Sequence, residues 1–234
     1  MKYLPLLFAN LKRKKVRTLL TIGSFVVAFF LFGVLAAIRG GFRQGIDVAG
    51  ADRLVVIGRT GVIQPLPLSY LPRIQRLPGV KEVTFATWFG GVYQDPKNFF
   101  SQFVINPDDW RSMYPEYLIP DAEWRAFLAD RQGVVVGAKL AERFGWKIGD
   151  HIPLKAPGYL GGEGWDFNLR AIYRGARPND DESQLWLQHK YFFEKAPRYW
   201  QGIVGWFVVR VASPDHAVSV AKAIDAEFAN SSSE

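Results

Sequence analysis

Polar and apolar positions change character abruptly near the start of this chain. Lys12 to Arg17, KRKKVR, is almost wholly basic, and it runs into an uncharged stretch from Thr18 to Ile38, TLLTIGSFVVAFFLFGVLAAI. At about 1.5 Å per residue, a helix of that length covers roughly 30 Å, the hydrocarbon thickness of a bilayer. The pattern predicts a transmembrane helix at 18–38, preceded at 1–17 by a basic cytoplasmic segment. Leu4, Leu7, Phe8 and Leu11 recur at helical spacing, which suits a short interfacial helix whose basic continuation, Lys12, Arg13, Lys14, Lys15 and Arg17, anchors on anionic headgroups. A cleaved signal sequence shares the basic start. Its apolar region is shorter, about 7 to 15 residues, and VLAAIRGGF lacks a clean A-x-A cleavage site.

Past Ile38 the periods shorten. Residues 39–49 continue the helix as a stalk, weakened by Gly40, Gly41 and Gly45. Arg53 to Arg59, RLVVIGR, reads as a buried strand. Ser69 to Leu77 reads as a short helix with Ser69 as N-cap and Pro78-Gly79 as its stop, and Val80 to Tyr93 returns as strand. The far end repeats this pattern. Gly205 to Val211 is strand, Ser213 a cap, and Pro214 to Phe228 a helix with Ala217, Val220, Ala221, Ile224 and Phe228 on one face. Between these units, Gln94 to Arg131 is rich in aromatics, proline and acids, with a helix from Asp121 to Asp130. Gly133 to Gly137 is an apolar strand leading into a helix at Ala138 to Phe144, which Gly145 stops. Lys147–Leu154, Phe167–Tyr173 and Leu185–Leu187 are short strands, and Gly158 to Asp166 is a hairpin tip or loop.

Charge supports the topology. Residues 1–17 carry six basic side chains and no acid, leaving 23 basic against 22 acidic residues in the remainder. The positive-inside bias keeps the N-terminus cytoplasmic and exports the rest. With the basic footprint spent on a membrane anchor, a nucleic-acid partner is not expected, despite a pI near 9.6. Zero cysteines rule out disulfides and thiolate metal sites, so packing alone holds the exported part, where all eight tryptophans lie.

Enzyme signatures are missing. His151, His189 and His216 form no zinc-binding pair, no serine sits in a G-x-S-x-G elbow, and no phosphate loop occurs. Asp108-Asp109 and Asp180-Asp181-Glu182 lack the spacing of a calcium loop and read as solvated loops. No cofactor is expected. The aromatic concentration at Tyr191, Phe192, Phe193, Tyr199, Trp200, Trp206 and Phe207 reads mainly as core, with a hydrophobic contact surface as its alternative.

Within the run GVVVGAKLAERFGWKIGDHIPL, the stretch from Val134 to Leu154 resembles the signature of the periplasmic domain in MacB/FtsX-type ABC transporter permeases, the family that includes the lipoprotein-releasing permeases. IQRLPGVKEV at Ile74–Val83, LWLQ at Leu185–Gln188 and VRVASPDHAVSVAKAIDAEF at Val209–Phe228 extend the resemblance over essentially the whole chain. The matching residues look structural. Gly149 and Asp150 fit a capped turn, though Asp150 has the alternative of a ligand role. Gly137 passes strand into helix, and Leu140 and Phe144 share a helical face. Together with Pro78 and Gly79 these are the motif positions.

The resemblance implies an α+β fold: β-α-β, porter-like units at 50–93 and 204–230, a β-rich inserted subdomain at 94–203, and a tail at 231–234. It implies a non-enzymatic permease subunit in a bacterial inner membrane. Its partners would be a cytoplasmic ABC ATPase, a second permease copy or similar permease, membrane lipids, and a periplasmic adaptor or substrate. Such permeases carry four transmembrane helices, so this chain is expected to be truncated or the product of a split gene. Two rival readings remain: a single-pass anchored periplasmic binding or scaffold module, and a membrane-anchored hydrolase using the acidic clusters at Asp109 and Asp181.

Overall fold

The computed structural model describes residues 15–48, 52–59, 61, 64–162, 164–229 and 231. The expected interfacial helix at Met1–Leu11, Lys12, Arg13, Lys14 and residues 232–234 lie outside them, and for residues 37–48 only the backbone is described. The chain divides into two units, Met1–Ala51 and Asp52–Glu234.

The first unit is one helix, α1 (Lys15–Val48). Its stretch Lys15–Ala36 is long and apolar enough to cross a membrane: an 18-residue window within it has a mean hydropathy of 2.5, and none of that window is buried against protein. Apolar side chains such as Leu19, Phe25, Phe29 and Phe32 are exposed around it, as suits a lipid-facing span. The helix does not stop at the end of the apolar run. Gly40, Gly41 and Gly45 are all helical: a glycine costs only about 1 kcal/mol in a helix interior and keeps its backbone donor.

The second unit is mixed α and β. Its elements in chain order are β1 (Arg53–Val56), β2 (Leu66–Pro67), α2 (Leu71–Gln75), β3 (Val80–Trp88), β4 (Ser101–Ile105), α3 (Pro107–Met113), β5 (Tyr117–Leu118), α4 (Asp121–Ala129), β6 (Gly133–Gly137) and α5 (Ala138–Phe144). There follow β7 (His151–Lys155), β8 (Gly164–Gly175), β9 (Gln184–Gln188), α6 (His189–Lys195), β10 (Ile203–Val204), β11 (Trp206–Val211) and α7 (Ala217–Phe228). One sheet runs in the order β1-β11-β3-β4-β9-β6-β8-β5, with β7 also on β8, and β10 pairs with β2. The β4–β9 and β6–β8 pairs are parallel.

Helix α2 carries the chain from β1 to β3, but β11 lies between those strands, antiparallel to both. This split β-α-β unit packs Val83, Phe85, Phe207 and Val209 against Ile74 of α2 and Val220, Ile224 and Phe228 of α7. The sheet continues without a break into the middle segment through Ala86↔Ile105, Thr87↔Val104 and Trp88↔Phe103. Central β6 is buried along its whole length. Val134 and Val136 face a core with Leu140, Leu187 and Phe192, while Val135 faces a second core with Trp110, Phe127, Tyr173 and Trp186. Strands covered on both faces read as continuous apolar runs, hence GVVVG.

Several boundaries differ from the sequence expectation. The strand expected at 53–59 stops at Val56 and is an edge, with Val55 61% exposed; its apolar run marks one covered face. Ser69 lies inside a 3-10 turn, Leu68–Tyr70, and makes no side-chain cap, while a 3-10 turn, Pro214–His216, precedes α7. β3 ends at Trp88 because Gly90, at φ +70°, turns the chain out of the ladder. Lys147 to Asp150 is a turn rather than the start of β7. β8 is twelve residues long, and β4 and α3 arise from a segment without clear periodicity.

Candidate functional site

The motif residues build turns and close approaches. At Gly137 an added Cβ would overlap the Glu182 carbonyl group, so only glycine lets β6 pass into α5 there. Leu140 is buried, and Phe144 stacks on Trp146 with ring centres 4.7 Å apart and meets Tyr93 and Phe100. Gly145 closes α5 at φ +69°. Gly149 stands at φ +96°, and the exposed Asp150 accepts the Lys147 N–H at 2.8 Å, which is the geometry of a turn cap. After Pro78, Gly79 at φ +87° leaves no room for a Cβ beside Val220, and its carbonyl accepts the Ala212 N–H. Lys15 and Arg17 lie in the first turn of α1.

The acidic cluster at 180–182 is occupied by its own loop, whereas Asp108 and Asp109, expected in a solvated loop, stand in the first turn of α3. Asp180 accepts the Arg177 N–H, Glu182 the Gly175 N–H, and Asp181 the Ser183 N–H and the Gln184 amide. Asp109 accepts the Thr84 hydroxyl at 2.9 Å. Burial pushes its carboxyl above the ordinary value against the Thr84 and Asn106 hydrogen bonds, with Glu82 adding to the rise. His151 lies between Asn168 and Asp166, and burial lowers His189. Among the described residues, no three carboxylate or imidazole groups converge on a metal position.

Two arginines tie β1, the strand that follows α1 in the chain, to its neighbours. Arg210 reaches Asp52 at 3.3 Å and Glu82 at 3.1 Å, and donates to the carbonyls of Ser112 and Met113. Arg53 pairs with Glu116 at 2.5 Å, donates to the Met113 carbonyl at 3.0 Å and lies over the Tyr114 ring. Both guanidinium groups thus satisfy the free carbonyl end of α3. Burial pushes the Tyr114 phenol up to about 12, against the opposing pull of Arg53.

A separate hollow, an aromatic cleft, is lined by none of the motif residues. It is lined by Pro65, Thr87, Trp88, Tyr159, Tyr199, Trp200, Gly205 and Trp206, with a volume of about 560 Å³. The floor comes from β3 and β11, where the Gly205 N–H donates to Thr87 Oγ1 at 3.0 Å. One wall is a hydrogen-bonded cluster in which the Tyr159 carbonyl accepts both the Tyr199 hydroxyl and the Trp200 indole N–H. The Tyr159 hydroxyl donates to the Phe89 carbonyl at 3.0 Å, and burial raises this phenol. Tyr199, Trp200 and Trp206 belong to the aromatic concentration noted in the sequence, whereas Phe192 and Phe207 are wholly core. Trp88 and Tyr159 were not singled out, because only the fold brings them to the same place. The glycines around Tyr159 were their one local signal.

Comparison with known proteins places the fold. The family described as "MacB-like periplasmic core domain" matches residues 18–227. The extracellular domain of the noncanonic ABC-type transporter YknZ from Gram-positive bacteria is similar over 77% of this chain and 95% of its own, at 12% identity and a TM-score of 0.51. The periplasmic region of MacB from Actinobacillus actinomycetemcomitans is similar over 77% of this chain and 84% of its own, at 12% identity and a TM-score of 0.53. No curated protein matches. With the family match running from the apolar helix to the last helix of the sheet domain, the chain belongs to the MacB-like periplasmic core domain family of ABC-type transporter permeases.

Proposed function

We propose that this chain is a permease subunit whose extracytoplasmic domain works under the control of ATP binding and hydrolysis on a separate cytoplasmic ABC ATPase. The observation that carries the reading is the family match across both the membrane-type helix and the sheet domain. The six basic residues before Thr18 support an N-terminus in the cytoplasm with the sheet domain outside. Two permease copies, or this chain and a similar permease, pair in the membrane. Closure of the nucleotide-bound ATPases then moves the helices and selects between two arrangements of the outer domains. That movement drives export or a mechanical signal.

The test is affinity purification of the tagged chain in mild detergent, followed by an ATPase assay and a reporter fused after Glu234. Recovery of an ATP-hydrolysing partner and an extracytoplasmic reporter are the expected results. A cytoplasmic reporter, or no ATPase after gentle extraction, overturns the proposal. The aromatic cleft favours a second reading, a single-pass anchored binding module, and that reading gains if a ligand binds while no ATPase is recovered.

A further inference from the structure

We propose that the cleft between Trp88, Tyr159, Tyr199, Trp200 and Trp206 is a binding site for an uncharged, apolar small molecule carrying at least one hydrogen-bond acceptor. This deepens the permease reading, since the site would hold what the outer domain handles.

Four observations define the occupant. The volume of about 560 Å³ lies within the range of roughly 300–1,000 Å³ of drug-sized ligand sites. Among the described residues, no charged side chain lines the cleft, so an ionic ligand would lose its hydration without gaining a partner from them. Complementarity of charge therefore selects a neutral molecule. The wall is already set: Tyr159 is fixed at both its hydroxyl and its carbonyl, and the Tyr199 and Trp200 donors are spent on it. Rings held in place in this way cost a ligand little ordering entropy. By contrast, none of the hydrogen bonds among the described residues uses the indole N–H of Trp88 or Trp206. Those two donors remain for an ether, ester or carbonyl oxygen.

The site is also built rather than left over. A Cβ on Gly90 would stand 2.6 Å from Trp88 Nε1 and 2.8 Å from the Tyr159 hydroxyl oxygen, so glycine there lets both rings approach. Tyr159 and Tyr199 are 45% and 57% exposed, which sets them apart from the fully buried rings that fill the cores.

The test uses the purified full chain in detergent and a long-chain alkyl ether bearing a diazirine, with labelled peptides mapped by mass spectrometry. Saturable labelling of the peptides holding Trp88, Tyr159 or Trp206, competed by excess unlabelled ether, is expected. Tyr199→Glu places a charge at the exposed mouth and should cut cleft labelling at least tenfold, while labelling of the apolar helix, which serves as internal control, is unchanged. Tyr199→Phe should retain it. An alkylammonium analogue should label the cleft far more weakly. Non-saturable labelling, labelling confined to the helix, indifference to Tyr199→Glu, or equal labelling by the cationic analogue would overturn the proposal. Specific labelling without an ATPase partner leaves the cleft assignment standing and sinks only the permease reading; an ATPase partner without cleft labelling does the reverse.

Discussion

Leu169 and Ala171 stand two residues apart on β8, yet their side chains enter different cores. Leu169 pairs with Val134 and Ala171 with Val135, so Arg170 is an extra residue in the ladder. The bulge turns the inward positions of β8 from the core of Trp165, Phe167 and Leu169 to that of Ala171 and Tyr173. Arg170 itself pairs with Asp130 at 2.7 Å, and Asp130 also accepts the Asn168 amide at 2.8 Å.

That pairing gives a pH prediction with two signs. Burial opposes the charge of Asp130, but hydrogen bonds from Asn168, Arg170 and the Gln132 N–H outweigh it and hold the carboxyl below its usual value. A depressed value means stability that is present above the unfolded-state pKa and is lost as pH falls through the folded one. Asp109 is raised by burial, so its ionisation lowers stability as pH climbs from the unfolded value through the folded one. In urea unfolding at neutral pH, Asp130→Asn should therefore destabilise the sheet domain by about 1 kcal/mol. Asp109→Asn should be neutral or stabilising, and in strong acid both differences should shrink.

Glycines at the two ends of α5 separate steric from conformational demand. Gly137→Ala drives a Cβ into the Glu182 backbone and should cost about 3 kcal/mol or more, beyond ordinary overpacking. Gly145→Ala meets open space at φ +69° and should cost about 1 kcal/mol. Paired chemical denaturation curves check the ratio, and near-equal losses would contradict the close approach.

Arg210→Gln removes two ion pairs and two donors to the end of α3 from a side chain only 12% exposed. The expected loss is about 2 kcal/mol, since charged partners are left half-buried. Arg210→Lys should recover less than half of it, because a single ammonium cannot reproduce the guanidinium fork. Hydrogen exchange should rise first in residues 107–113.

Trp186 stacks on Tyr173 with ring centres 4.2 Å apart and planes 3° from parallel, both fully buried. Trp186→Ala should cost about 4 kcal/mol, and Trp186→Phe clearly less. Thermal unfolding of the purified chain reads the difference.

Local grammar was legible where one residue type had one job. The basic-then-apolar start, the GVVVG strand, the Gly149-Asp150 turn and the Val220, Ile224 and Phe228 face of the last helix all follow from period and turn chemistry. Pairing was not legible. Nothing in LWLQ says that Leu185 to Leu187 lies between β4 and β6, parallel to one and antiparallel to the other, because order in a sheet is set by long-range packing. Alternation along FNLRAIY likewise gave no sign of the bulge at Arg170, since the inward positions are apolar on both sides of it. The cleft was half visible: Tyr199, Trp200 and Trp206 are near one another in sequence, but Trp88 and Tyr159 join them only through the turns at Gly90 and Gly161.

The limits of the sheet carry a last consequence. It ends in β1, four residues long, and β5, two residues long, while β7 contains Pro153 and has its far end bridged by Val92. Such margins give a foreign polypeptide almost no template for adding itself as another rung, which protects a cysteine-free domain from fibrous self-association in a crowded compartment. Any protein that docks here must therefore recognise side chains on its faces and rims.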